Sequence, residues 1–126
     1  MKRYLGVDYG TKRIGLAFGD SETKTAVVFG TVNSIDEIKQ IIIDEEMDAI
    51  VLGAPYSLAN NKHALPKNFQ IFLTALKVAL PGTKIILEDE RLSSKYADSL
   101  SGDSKTKASR DEIAAISILQ GYLDKQ

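Results

Sequence analysis

Three places in the sequence carry carboxylates that could support metal-assisted chemistry. They are Asp8, in Val7-Asp8-Tyr9-Gly10-Thr11; the run Glu88-Asp89-Glu90; and Asp111, in Arg110-Asp111-Glu112. Hard cations such as Mg²⁺ or Mn²⁺ take oxygen ligands. Two such ions clamp the attacking and leaving oxygens of an in-line phosphoryl displacement. That chemistry needs no thiol, imidazole or serine nucleophile, which suits a chain with no cysteine and one histidine. The lack of cysteine also excludes disulfides, thiolate zinc sites and cysteine nucleophiles. His63, beside Asn60, Asn61 and Lys62, reads as a surface residue.

Each acid taken singly has a plainer reading. An aspartate after a strand commonly hydrogen-bonds the turn that follows. Consecutive acids often form a solvated charge run, and Arg91 could pair with one of them. An acid in the first turn of a helix is expected from the helix dipole alone. The run at 88–90 does not itself say which acid would be a ligand. The case for a site rests on all three places together, and so on the elements that would have to gather them.

Those elements follow from periodicity. Tyr4 to Asp8, Arg13 to Gly19 and Thr25 to Val32 read as three strands with short connections, hence an antiparallel meander. Ser34 then opens a helix, with Glu37 completing a capping box and Ile35, Ile38, Ile41 and Ile42 forming the apolar stripe. Asp48 to Gly53 reads as a buried parallel strand. Residues 54–65 read as an exposed loop. Pro66 suits the first turn of a second helix, whose buried side is Phe69, Phe72, Leu73, Leu76 and Leu80 and which Pro81-Gly82 stops. Lys84 to Leu87 is a fifth strand, and a short helix is expected after Ser93. Residues 101–108 read as a polar connection before a last helix, which Ser109 caps with Glu112 as its partner. Ala115, Ile118, Leu119, Tyr122 and Leu123 turn to the core. The predicted fold is α/β: a five-stranded mixed sheet, meander first and αβ units after, with helices on both faces. This is the ribonuclease H-like order of elements. It would place Asp8 at the end of a central strand, and the acids at 88–90 beyond the carboxyl end of another, where ligands bind in open α/β sheets.

Composition bounds the rest. A chain of 126 residues, 44% hydrophobic and 26% charged, suits one soluble domain spanning 1–126. The start, Met-Lys-Arg-Tyr-Leu-Gly-Val-Asp, has no signal-peptide pattern, and no apolar run reaches membrane-spanning length. A cytoplasmic location without membrane contact is expected. The net charge of −1 does not advertise nucleic acid, so such binding would have to come from local basic patches.

Four segments resemble one family. Val7-Asp8-Tyr9-Gly10-Thr11-Lys12-Arg13-Ile14-Gly15 resembles the opening motif of the YqgF family, described as Holliday-junction-resolvase-like and as pre-16S ribosomal RNA nucleases. Gly53-Ala54-Pro55 is similar to its Gly-Leu-Pro segment, and Asp89-Glu90-Arg91-Leu92-Ser93-Ser94 to its Asp-Glu-Arg-Leu-Ser/Thr-Thr signature. Asp111-Glu112-Ile113-Ala114-Ala115, with Ile118-Leu119-Gln120 and Tyr122-Leu123, resembles its C-terminal helix. The resemblance spans residues 3 to 124. It departs from the family at Ser57-Leu58-Ala59-Asn60-Asn61-Lys62-His63, which lacks the usual Asp-Gly turn.

The resemblance implies that Asp8, Glu90 and Asp111 are the catalytic, metal-holding acids, thereby choosing Glu90 over Glu88. It implies Mg²⁺ or Mn²⁺ as cofactor and hydrolysis of phosphodiester bonds. The implied substrate is the 5′ end of pre-16S ribosomal RNA, with four-way branched DNA as the alternative. Thr11, Lys12, Arg13, Arg91, Lys105, Lys107 and Arg110 are the expected nucleic-acid contacts, since basic side chains on phosphates dominate such affinity. Two other classes compete. Asp-x-Gly-Thr also opens the phosphate loop of actin-like ATPases and sugar kinases, but this chain has no second Asp-x-Gly half. A non-catalytic RNA-binding assembly factor would not require the acidic triad.

Overall fold

The computed structural model describes residues 1–10, 12–55, 65–89 and 110–126. Its strands are β1 (Arg3–Tyr9), β2 (Ile14–Asp20), β3 (Val27–Val32), β4 (Ala49–Ala54) and β5 (Lys84–Asp89). Its helices are α1 (Ile35–Asp44), α2 (Lys67–Ala79) and α3 (Arg110–Leu123). They form one five-stranded sheet of order β3-β2-β1-β4-β5. β1, β2 and β3 are the antiparallel meander, while β4 runs parallel to both β1 and β5. The expected α/β architecture is therefore the one observed. The helix expected after Ser93 and the Ser109 cap lie outside the described residues.

Local chemistry accounts for these elements. At α1 the Ser34 side chain accepts from the Glu37 N–H, and the Glu37 carboxylate accepts from the Ser34 N–H at 3.0 Å. Such a cap contributes about 1 kcal/mol. Pro66 is the residue before α2 rather than part of its first turn, and it offers no side-chain cap. β4 is buried at every position, as a parallel strand covered on both faces must be.

β1 is central, and its alternate residues divide the core. Leu5 and Val7 join Leu16, Ile50, Leu52 and the α1 and α2 residues Ile38, Ile42, Phe69, Phe72 and Leu76. Tyr9 stacks on Phe72 with ring centroids 4.3 Å apart. Tyr4 lies on the opposite face, with Ala17, Ala49 and Val51, against Ala115, Ile118, Leu119 and Leu123 of α3. Helices thus cover both faces: α1 and α2 on one side, α3 on the other.

Candidate active site

β1 ends by raising Asp8 on the α3 face, two residues beyond Gly6 in the alternation of the strand. Its cross-strand partner is Gly15 of β2. Residues directly opposite in an antiparallel pair share a face. Gly15 is also where α3 arrives. A Cβ at position 15 would lie 2.1 Å from the Asp111 carbonyl oxygen and 3.0 Å from the Asp111 Cβ. Asp111 is therefore seated directly over the partner of Asp8, and the two carboxylates belong to one face of the sheet. A third contact extends the cradle. A Cβ at Gly10 would come 2.5 Å from the Arg13 carbonyl oxygen and 3.4 Å from Asp111 Oδ1. The Gly10 N–H donates to that Arg13 carbonyl at 3.1 Å, closing the turn between β1 and β2.

The two acids differ in setting. Asp8 is 8% exposed. A carboxylate this buried is costly unless it is paired, hydrogen-bonded or metal-bound. Asp111 is one-third exposed at the start of α3, where the helix dipole favours negative charge. Arg13 Nε approaches Asp111 Oδ2 at 4.0 Å. With both side chains this accessible, the pair contributes well under about 1 kcal/mol.

β5 runs further than expected, through Asp89, so Glu88 and Asp89 are strand residues rather than a run beyond the strand. Glu88 pairs in register with Gly53, on the α3 face, while Asp89 pairs with Ala54 on the other. Glu88 is buried and holds the ammonium of Lys125, at the far end of α3. This ion pair replaces the mutual repulsion that a run of free acids would suffer.

Among the candidates from sequence, Asp8, Gly10, Arg13 and Asp111 are brought together, Arg110 opens α3 and is exposed, and Lys12 is exposed on the β1–β2 turn. Thr11, His63, Glu90, Arg91, Lys105 and Lys107 lie outside the described residues. Among the described residues there is no group of three or more acids or histidines arranged for a metal. The described donors, Asp8 and Asp111, are hard carboxylate oxygens beside a glycine-lined cradle. Their chemistry fits Mg²⁺ or Mn²⁺ and not a soft or imidazole-preferring metal.

The structure also shows two positions with no assigned role in the sequence reading. Gly15 seats Asp111, and Gly53 seats Ile118, whose Cδ1 would be 2.3 Å from an added Cβ. A signal was available: Gly15, Ala17 and Gly19 repeat at every second position of β2, as on a strand face that another element approaches closely.

Comparison with known proteins bears on this geometry. The family model described as "RuvX: Holliday junction resolvase" matches residues 2–125. A Chlorobaculum tepidum protein named "Putative pre-16S rRNA nuclease" is 35% identical, with 98% of this chain and 94% of that protein covered. A Corynebacterium diphtheriae protein of the same name is 36% identical, covering 98% of this chain and 85% of its own. Among solved structures, Thermus thermophilus RuvC matches with a TM-score of 0.69 at 12% identity, covering 98% of this chain and 95% of that one. RuvC in complex with a Holliday junction substrate matches at 0.67, also at 12% identity, covering 99% and 95%. At that identity the likeness concerns the fold.

Proposed function

This chain belongs to the RuvX, Holliday junction resolvase, family, and from that premise we propose that it trims the 5′ end of precursor small-subunit ribosomal RNA with Asp8, Glu90 and Asp111 holding divalent cations. It is a nuclease. The observation that carries the proposed site is the seating of Asp111 on Gly15, the strand partner of Asp8. It brings two carboxylates to one face, at the end of a central strand. The settings of Glu88 and Asp89 narrow the choice of the third acid. Glu88 is committed to Lys125 and Asp89 belongs to the opposite face, which leaves Glu90, the acid that the family resemblance names.

Mg²⁺ or Mn²⁺ held by these acids would supply Lewis-acid stabilisation of the phosphoryl oxygens. The chain's own residues do the rest. Asp8 contributes a buried carboxyl group fixed at the end of β1. α3 carries Asp111 to it, and the backbone at Gly10 keeps side-chain bulk away from that carboxylate. Arg13, beside Asp111, is placed to contact a substrate phosphate, and Lys12 and Arg110 are its exposed neighbours in the same role. Thr11, Arg91, Lys105 and Lys107 are proposed as further contacts on the family resemblance. The setting is cytoplasmic, and no described helix is long and apolar enough to cross a membrane.

The test uses purified protein with Mg²⁺ or Mn²⁺ on 5′-extended ribosomal RNA, generic single-stranded RNA and a four-way DNA junction. Preferential cleavage of the extended ribosomal RNA is expected. Selective cleavage of the junction, which the description of the family model favours, would reassign the substrate and keep the site. Asp8→Asn should lower the rate on the order of a thousandfold, because a transition-state stabiliser is lost while shape is kept. Its melting temperature without metal should be unchanged or higher, and the upward shift that metal gives the parent should be largely absent. A variant that melts lower and cleaves normally would make Asp8 a turn residue.

A further inference from the structure

The face of the molecule away from the candidate site carries apolar side chains that the fold does not use. On α2, Ile71 and Val78 are 59% and 76% exposed, in one stripe with Thr74 and Ala75. A shallow depression of about 540 Å³ runs along this stripe, lined among the described residues by Lys67, Gln70, Ile71, Thr74 and Ala75. On α1, Ile43 is 59% exposed. Because α1 and α2 cover the same face of the sheet, their outward sides form one surface.

The charges on that surface are segregated by helix. α1 and its C-terminal turn expose Asp36, Asp44 and Glu46, against the single Lys39. α2 exposes Lys67 and Lys77 and contains no acid. In a two-fold symmetric contact, any patch that meets a second patch is itself met by that second patch in return. The acidic helix of each copy can therefore lie on the basic helix of the other, with Ile43 set against the Ile71–Val78 stripe twice over.

We propose that the outer face of the α1–α2 layer is a self-association surface, its occupant a second copy of this chain with each α1 laid on the partner's α2. Ile43, Ile71 and Val78 supply the apolar anchors, and the segregated charges fix the orientation and disfavour α2 on α2. α3 and Asp8 lie on the other side of the sheet, so both candidate sites stay open in such a dimer. The inference does not depend on the substrate.

Sedimentation of the full chain over a wide concentration range tests it. The parent should associate to a dimer, more weakly at high salt. Ile71→Glu with Val78→Glu should weaken association by about a hundredfold or more, with cleavage per chain and circular dichroism unchanged. The decisive experiment uses two charge-reversed chains. Lys67→Glu with Lys77→Glu and, separately, Asp44→Lys with Glu46→Lys should each lose self-association. Mixed together they should form the heterodimer, in which both contacts are again complementary. Three results would overturn the proposal: a parent that stays monomeric throughout, reversed chains that self-associate as the parent does, or a dimer dissolved by Val28→Lys, at the sheet-edge strand β3, and untouched by the α2 changes.

Discussion

The two faces of the sheet are built from different materials. Toward α1 and α2 the sheet offers Leu5, Val7, Leu16, Ile50 and Leu52, and two helices meet it with Ile and Phe side chains. Toward α3 it offers Gly6, Asp8, Gly15, Ala17, Gly19, Ala49 and Gly53, with Tyr4 and Val51 the larger exceptions, and a single helix comes down close to it. The first face is a thick apolar layer whose function is cohesion. The second sacrifices apolar bulk so that a helix backbone can reach the level of a strand, which is how the carboxylate-bearing first turn of α3 comes to lie over the partner of Asp8. Stability and chemistry are thus assigned to opposite sides of one sheet.

Substitutions on each face can sharpen or break this division. Among substitutions that leave the acids themselves in place, the largest effect is expected from Gly15→Ala. Its methyl would collide with the backbone of Asp111, which cannot rotate away, so α3 must lift at its Asp111 end. Displacing a positioned group by about 1 Å costs on the order of a hundredfold in rate. Gly53→Ala should do much less, because the obstacle is the flexible tip of Ile118. Cleavage rates of the two variants under equal metal decide this, and equal losses would deny Asp111 its special seat. On the other face, Leu76→Ala truncates a side chain with no exposure. It should cost about 2–5 kcal/mol of stability in denaturant titration, while cleavage per folded molecule stays near the parent's. A comparable loss of activity would mean that the faces are not separable.

The smallest effect is a pH dependence at the far end of α3. Tyr122 meets Tyr4 edge-on at 5.3 Å, and its phenol is raised from the ordinary 10.0 by burial first, then by its hydrogen bond and electrostatic interaction with Tyr4, and last by the charge of Glu88. The folded state therefore holds that proton more tightly than the unfolded one. Its contribution to stability is complete below pH 10.0 and is lost as pH rises through the raised value. Alkaline melts of Tyr122→Phe should decline less steeply above pH 10.0 than those of the parent.

What could be read from sequence was whatever depends on near neighbours. The Ser34–Glu37 box, the stripe of α2 and the acid at the start of α3 all express contacts within one helix. The order of elements then followed from lengths and connections. Position 88 was not legible in this way. Its acid belongs to the strand and is answered by Lys125, 37 residues later, and no local pattern announces that partner. The same holds for Arg13 and Asp111, and for Gly15, whose need for a missing side chain exists only once α3 has docked. Family resemblance supplied Glu90 as the choice among the three acids, and that choice lies outside the described residues.

The docking of α3 on the glycine-lined face also has a temporal side. Asp8 is synthesised well before Asp111, which comes only after every described strand of the sheet. A growing chain can pair its meander and close the sheet, yet its candidate site still lacks one wall. On the proposed site, hydrolysis that needs both acids would wait for the arrival of α3. On that site, a nascent chain would leave the RNA around it intact until α3 has docked.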